Sequence, residues 1–341
     1  MPKVTVLMPV YNGEKYLCES IESIINQIFF DFEFIIIDDG SNDKSLEIIK
    51  SYQDSRIKVF HNSHNLGITK TLNIGLQSAR GEYIARMDCD DISLTERLAT
   101  QVSFLDNNLN ITVVGSYMDM IDAESNDLEN QYQYPLNHDD IVNSMLSCNP
   151  MGHPSVMFRY LGIMNVGGYH FKEEWQGVST EDYDLWLRLI ANNYKLANLP
   201  QSLIKYRYHE NSLTTKAIAD NTMYEGFNQC FYVSGSSTFG CSPKDLQLLR
   251  TKKHLTSLVL FIRIAFYLSN KEKQNILKRL KSESFIISMQ TLTSRKDIAS
   301  RLAISCLKKK PIRCFIKEIS LILSEAVELI HKTSKQEKNK R

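Results

Sequence analysis

The chain has no Cys-x-x-Cys pair. Its seven cysteines (residues 18, 89, 148, 230, 241, 306 and 314) are scattered and odd in number. That argues against a zinc site and a disulfide framework and points to a reducing compartment. No apolar run is long enough to span a bilayer. The longest candidate, residues 255–268, is interrupted by Arg263 and falls short of the roughly 20 residues a spanning helix needs. No leader is expected, because Met1-Pro2-Lys3 runs directly into the strand-length segment Val4–Val10 without a small-residue cleavage site. Internal repeats are absent. The loop after that first segment, Pro9-Val10-Tyr11-Asn12-Gly13-Glu14, holds one glycine and no arginine. A triphosphate cradle would be glycine-rich and basic, so this loop counts against a nucleotidyltransferase.

Net charge is almost absent as well, at +1, but that balance hides an asymmetry. Residues 1–241 carry 17 Lys+Arg against 31 Asp+Glu, while residues 242–341 carry 23 against 8. An acidic body and a basic C-terminal region suggest two parts with different partners. The basic part suits a helical subdomain packed on the acidic body, an anionic membrane surface, or both. It contains no recognisable nucleic-acid module and few aromatics, so nucleic acid is not an expected partner. At 341 residues the chain exceeds what one compact core needs, which predicts a large domain and a smaller one.

What is present is a regular alternation. Val4–Val10, 32–37, 57–60 and 83–87 read as buried strands. Residues 14–27, 44–52 and 68–79 read as helices between them, the first with Leu17, Ile21, Ile24, Ile25 and Ile28 at helical spacing. Strands separated by such helices make a parallel sheet. Further on, 112–121 and 155–158 read as strands and 139–146 as a short helix. Residues 181–192 read as a helix with Thr180 as its N-cap, and 196–208 as extended. From about residue 243 the pattern is helical. Ile312, Phe315, Ile316, Ile319, Leu323, Ala326 and Ile330 form one apolar face after Lys308-Lys309-Lys310. The tail 332–341 reads as disordered.

Ligands of parallel sheets bind beyond the carboxyl ends of the strands. The polar clusters fall there: Tyr11-Asn12-Gly13, Asp38-Asp39-Gly40-Ser41, Asn65-Leu66-Gly67 and Asp88-Cys89-Asp90-Asp91. Three carboxylates within four residues repel one another unless a cation sits between them. Mg²⁺ and Mn²⁺ favour such oxygen donors. The plainer reading of the same residues is an acidic loop capping the helix that follows.

In order and spacing these motifs, with Val4-Thr5-Val6 before them, Thr180-Glu181-Asp182-Tyr183-Asp184-Leu185-Trp186-Leu187-Arg188 and Tyr206-Arg207-Tyr208-His209-Glu210-Asn211-Ser212 after them, resemble family 2 glycosyltransferases over residues 3–215. The resemblance implies an α/β GT-A fold, a Rossmann-like mostly parallel sheet flanked by helices, here with a C-terminal helical extension. It implies a catalytic domain at 1–225 (nucleotide half about 1–110, acceptor half about 111–225); the basic helical region at 240–331 and the tail lie outside the resemblance and are read from charge and pattern alone. It implies an inverting transfer of a sugar from a nucleotide-diphosphate donor, UDP-linked, to a hydroxyl of a glycan or a polyprenyl-diphosphate-linked saccharide in bacterial surface polysaccharide synthesis. The implied location is cytoplasmic, peripheral on the inner face of the membrane.

The resemblance also assigns residues. Pro9, Tyr11, Asp38, Asp39, Gly40, Asn65, Asp88 and Arg207 would bind the donor, with Arg207 clamping a phosphate. Asp88, Asp90 and His209 would hold Mn²⁺ or Mg²⁺, and Asp91 would brace the loop or touch the sugar. Asp182 would be the base, with Glu181 as the alternative. Trp186 and His153 would line the acceptor site, although Trp186 equally fits a core position beside Leu185 and Leu189. Gly167-Gly168-Tyr169 would begin a loop over the site. The competing functions are a nucleotidyltransferase making nucleotide-sugars and a non-catalytic scaffold.

Overall fold

The computed structural model describes residues 1–145, 148–170, 180–219 and 222–239, all within one compact unit, Met1–Gln247. The expected helices at 240–331, the tail 332–341 and the loop after His170 lie outside the described residues.

Strand and helix alternate through β1 (Val4–Val10), α1 (Leu17–Ile25), β2 (Phe32–Asp38), α2 (Ser45–Ser51), β3 (Ile57–His61), α3 (Ile68–Ser78) and β4 (Tyr83–Arg86). Every residue of β1 and β2 is buried. Such strands are covered on both faces and therefore read as continuous apolar runs. Helix α1 packs Leu17, Ile21 and Ile24 onto them. It starts three residues later than the spacing predicts, because Gly13 O accepts from both Tyr16 and Leu17 N–H in a preceding turn. Ile28 falls beyond the helix and is 58% exposed.

The second half continues with β5 (Ile92–Ser93), α4 (Arg97–Asn107), β6 (Ile111–Ile121), β7 (Asp127–Tyr132), α5 (His138–Ser144) and a short 3₁₀ turn (His153–Ser155). Then come β8 (Met157–Arg159), α6 (Tyr160–Asn165), α7 (Glu181–Ala191), β9 (Lys195–Arg207), α8 (Leu213–Ala219) and α9 (Thr222–Phe239). Strands β5 and β7 and helices α6, α8 and α9 were not expected from the pattern. Thr180 precedes α7, but its hydroxyl makes no capping bond and is buried without a partner, so the expected side-chain cap is absent.

The sheet order is β3-β2-β1-β4-β8-β6-β9-β5, with β7 beside β6. Strands β3, β2, β1 and β4 are parallel. The chain runs outward from β1 to β3 and then returns to the other side of β1 for β4. This reversal opens a crevice at the carboxyl ends of β1 and β4. Strand β8 continues the sheet antiparallel to β4. Strand β9 runs along β6, and its last residues pair with β5, Ser93 with Ile204 and Ile92 with Lys205. That pairing delivers Arg207 and His209 to the acidic loop after β4.

Candidate active site

The crevice is walled by loops that are bonded to one another. Asn12, Gly13 and Glu14 donate their backbone N–H groups to Ser41 Oγ (3.0 Å), Ser45 Oγ (2.9 Å) and Asp43 Oδ2 (3.0 Å). This ties the β1 loop to the β2 loop. Asp39 accepts from Asn62 Nδ2 (2.8 Å), Leu66 N–H (2.9 Å) and Gly67 N–H (3.0 Å), tying β2 to the loop after β3. Gly40 has φ +71°, and a Cβ there would lie 2.5 Å from the His64 carbonyl carbon. Glycine is needed at this close loop crossing. Asn65 Oδ1 accepts from Gly67 N–H at 2.9 Å and shapes the same loop. Asp38 is fully buried. Its Oδ2 pairs with His61 Nδ1 at 2.8 Å, while its Oδ1 is buried without a partner. Pro9 is buried within β1, and Tyr11 is exposed at the rim.

At the end of β4, oxygens of Asp88, Asp90 and Asp91 lie within 4.8 Å of one another. Asp88 pairs with the buried Arg86 guanidinium. Asp90 Oδ2 bonds to His209 Nε2 at 2.9 Å. Asp91 Oδ1 accepts from Arg207 N–H at 2.9 Å, and its Oδ2 is buried without a partner. Burial first, and the neighbouring carboxylates next, push the Asp91 carboxyl well up. Burial likewise raises Asp88, with Arg86 opposing it. Crowded, desolvated oxygen donors with spare lone pairs fit a hard divalent cation, so the residues suit Mg²⁺ or Mn²⁺. Cys89 between them is an inert thiol, pushed up by burial and by Asp90.

Two expected roles change here. Arg207 is 1% exposed. Its guanidinium donates to Asp90 O (2.8 Å), Asp122 O (3.2 Å) and Ser125 Oγ (2.8 Å) and pairs with Glu19 Oε2 (2.5 Å). It also lies 4.6 Å from the centre of the Tyr16 ring. A guanidinium with its donors engaged inside the protein braces the acidic loop and does not clamp a phosphate. His209 approaches the acids through Asp90, and its own nitrogens are not among the converging ligand atoms. Its ring packs 4.9 Å from that of Tyr16.

The other end of the site is the first turn of α7. Asp182 Oδ2 accepts from Asn149 Nδ2 at 2.6 Å, and Oδ1 accepts from Tyr183 N–H at 2.6 Å. Burial and then the adjacent Glu181 push the Asp182 carboxyl up to about 7. Glu181 is 4% exposed, with His153 Nδ1 3.8 Å away. His153 is buried, its Nε2 bonds to the Tyr169 hydroxyl at 2.9 Å, and burial holds it neutral, well below its ordinary range. Trp186 is fully buried, edge-on to His153 at 6.2 Å, which makes it a core aromatic and not a wall of the open crevice. Its indole N–H has no partner. Gly167 and Gly168, at φ +87° and +69°, bond back to Met164 O and Ile163 O as the C-terminal cap of α6. Tyr169 N–H then donates to Asn73 Oδ1 at 3.0 Å.

Sequence reasoning passed over Arg86, Glu19 and Asn149. Arg86 had a usable signal, since a charge inside an apolar strand is costly unless it is paired.

The model for "Glycosyl transferase family 2" matches residues 5–158. An uncharacterized glycosyltransferase of Haemophilus influenzae is 38% identical over 63% of this chain and 68% of its own length. The O-antigen biosynthesis glycosyltransferase WbnJ of Escherichia coli is 34% identical over 63% and 84%. Among solved structures, S. aureus TarS 1–349 in complex with UDP-GlcNAc superposes with TM-score 0.58 at 18% identity, covering 89% of this chain and 88% of that one. A longer TarS chain is spanned over 49% of its length. The mannosyltransferase PcManGT of Pyrobaculum calidifontis, in complex with GDP-Man and Mn²⁺, gives TM-score 0.52 at 15% identity over 91% and 88%. The fold is the GT-A fold of these glycosyltransferases. The chain belongs to glycosyl transferase family 2.

Proposed function

We propose that the protein is an inverting, divalent-metal-assisted transferase that moves a hexosyl or N-acetylhexosaminyl unit from a UDP-sugar to a hydroxyl of a glycan. The observation that carries this reading is the pairing of two carboxylate centres. A cation-ready cluster at the end of β4 and a carboxylate titrating near neutrality at the start of α7 are joined by electrostatic contact with one arginine, Arg86. Asp88, Asp90 and Asp91 would hold Mn²⁺ or Mg²⁺, which when bound neutralises charge on the departing diphosphate. Arg207 and His209 hold Asp90 and Asp91 in place for it. The unpartnered Asp38 Oδ1 and the exposed Tyr11 suit the nucleoside: a buried acceptor for a base N–H and a ring to stack on.

Asp182 takes the proton from the acceptor hydroxyl as that oxygen attacks the anomeric carbon. The bond from that carbon to the diphosphate oxygen breaks on the opposite face, and the nucleoside diphosphate leaves with the electron pair. Inversion follows from the single displacement. A base titrating near 7 is matched to neutral pH. The nucleotidyltransferase reading loses ground, because the backbone N–H groups of Asn12, Gly13 and Glu14 are already bonded to side chains of the β2 loop and do not form a triphosphate cradle.

The O-antigen relative supports a surface-polysaccharide acceptor, with a polyprenyl-diphosphate-linked saccharide as the candidate. No helix among the described residues is long and apolar enough to cross a membrane, and peripheral attachment through the basic region 240–331 is part of the proposal. The test is calorimetric titration with UDP, GDP and dTDP, each with Mn²⁺ and with EDTA. Metal-dependent binding of UDP is expected. Binding of none of them by folded protein would overturn the transferase reading in favour of a scaffold.

A further inference from the structure

Two carboxylates follow one another at the end of β2, and their surroundings differ. Asp39 is spent on its neighbours, accepting from Asn62, Leu66 and Gly67. Asp38 is fully buried and has one oxygen engaged. Its Oδ2 accepts from Ser41 N–H at 3.3 Å and lies 2.8 Å from His61 Nδ1, whereas Oδ1 is buried without a partner. Leaving a carboxylate oxygen buried and unbonded is costly, which marks Oδ1 as an acceptor that a ligand completes.

The backbone around this carboxyl group is fixed. Asp38 and His61 are partners across the parallel strands β2 and β3. Asn62 N–H donates to Asp38 O at 2.8 Å, and Asp39 N–H donates to Val10 O at 2.7 Å. An ionised carboxylate only accepts hydrogen bonds, so the proton of the His61 bond sits on Nδ1, whether the imidazole is neutral or charged. The His61 side chain is 46% exposed. The bond therefore ties a solvent-facing ring to a buried carboxylate and settles which oxygen the protein uses and which it leaves over.

We propose that His61 is a positioning residue that fixes the rotation of the Asp38 carboxyl group, committing Oδ2 to the protein and offering Oδ1 alone to the nucleobase, and thereby selects a base that carries an N–H at that edge. This rests on the reading of Asp38 as the base contact. Among pyrimidines the choice is sharp. Uracil carries a hydrogen on N3 and donates it. Cytosine N3 is a bare acceptor and would meet the carboxylate oxygen lone pair to lone pair, a repulsion that rejects the wrong ligand.

The experiment is calorimetric titration of the full-length protein with UDP and with CDP, both with Mn²⁺, since these two ligands differ only in the base. Wild type is expected to bind UDP about 10–100-fold more tightly than CDP, the worth of a hydrogen bond to a charged group. His61→Ala should remove most of that preference. His61→Asn, whose amide N–H stands in for Nδ1, should restore it. Asp38→Asn should turn the preference toward CDP, because His61 and Ser41 draw the amide oxygen to the Oδ2 position and leave the NH₂ facing the base. A UDP-to-CDP ratio unchanged in folded His61→Ala overturns the proposal, as do equal wild-type affinities for the two. If His61→Ala does not fold, Asp38→Asn decides, since a preference kept for UDP there means that the group is not held in one rotation. Failure of the base-contact reading is separate: a ratio unchanged in Asp38→Ala would remove Asp38 from the base whatever the His61 variants show.

Discussion

The two acidic centres use the same residue types and differ in what holds them. After β4, three aspartates in four residues each have a dedicated partner: Arg86 for Asp88, His209 for Asp90 and the Arg207 backbone for Asp91. At the start of α7, Asp182 is bonded to an amide and a backbone N–H, neither of which carries charge. Burial raises Asp88 and Asp91 as it raises Asp182, with the Arg86 guanidinium opposing it at Asp88, and oxygens converging from three side chains suit a ligand. Neutral surroundings raise proton affinity, which suits a base. The partners, and not residue type or burial, distinguish the two centres.

The largest effect that would break this comparison is loss of the base. Asp182→Asn is expected to lower turnover by about 10²–10⁴-fold with UDP affinity little changed, and wild-type turnover should rise with pH through about 7. Next is the ligand centre. Asp90→Ala should abolish the metal-dependent part of UDP binding, read by titration with Mn²⁺ against EDTA. Retained Mn²⁺ dependence would remove Asp90 from the cluster. Arg207→Ala comes third. It removes the side-chain donor to Asp90 O, while Asp122 O keeps the Ser125 N–H and Glu19 keeps the Ser125 hydroxyl, and the cost is about 1–3 kcal/mol for the carbonyl left unsatisfied. Chemical denaturation should show this as lost stability. A loss of UDP affinity with stability intact would restore Arg207 as a phosphate clamp.

The smallest effect sharpens the contrast through stability. Asp182 titrates near 7 in the folded chain and near 3.9 unfolded. Between those values the folded chain holds a proton that the unfolded chain has released. Its contribution to stability is therefore full below about pH 4 and lost as pH rises through about 7. Metal-free Asp182→Asn should melt above wild type at pH 8, by about 2–4 °C for each kcal/mol that the raised carboxyl costs, and the advantage should vanish near pH 4. An equal advantage at both pH values would mean that Asp182 is not raised.

The parallel half of the sheet and the acidic positions were legible in the chain because both are local signals. Val4–Val10 and Phe32–Asp38 are continuous apolar runs, and Asp88, Asp90 and Asp182 sit at element ends. What was not legible depends on contacts between distant residues. Nothing local to Tyr206-Arg207-Tyr208 says that the guanidinium turns inward to Glu19, and nothing in the Asp184-Leu185-Trp186 segment decides which face of α7 is covered. Helix α9 supplies part of that cover: Ser234 Oγ donates to Asp184, and Thr238 Oγ1 donates to Leu187 O at 2.8 Å. Its own sequence, Thr-Met-Tyr-Glu-Gly-Phe-Asn-Gln-Cys, has little apolar periodicity to announce it. Strand β5 has two residues, too few for any period to be seen.

The Arg207–Glu19 tie also bears on how the protein is made. It joins residues 188 positions apart, and the Asp90–His209 bond spans 119. During synthesis the parallel strands β1–β4 can assemble while the later chain is still being added. The acidic loop, however, gains its brace only after residues 207–209 have emerged from the ribosome. Contacts of such long range are slow to form, and a nascent chain stopped before β9 carries the aspartates without the residues that hold them.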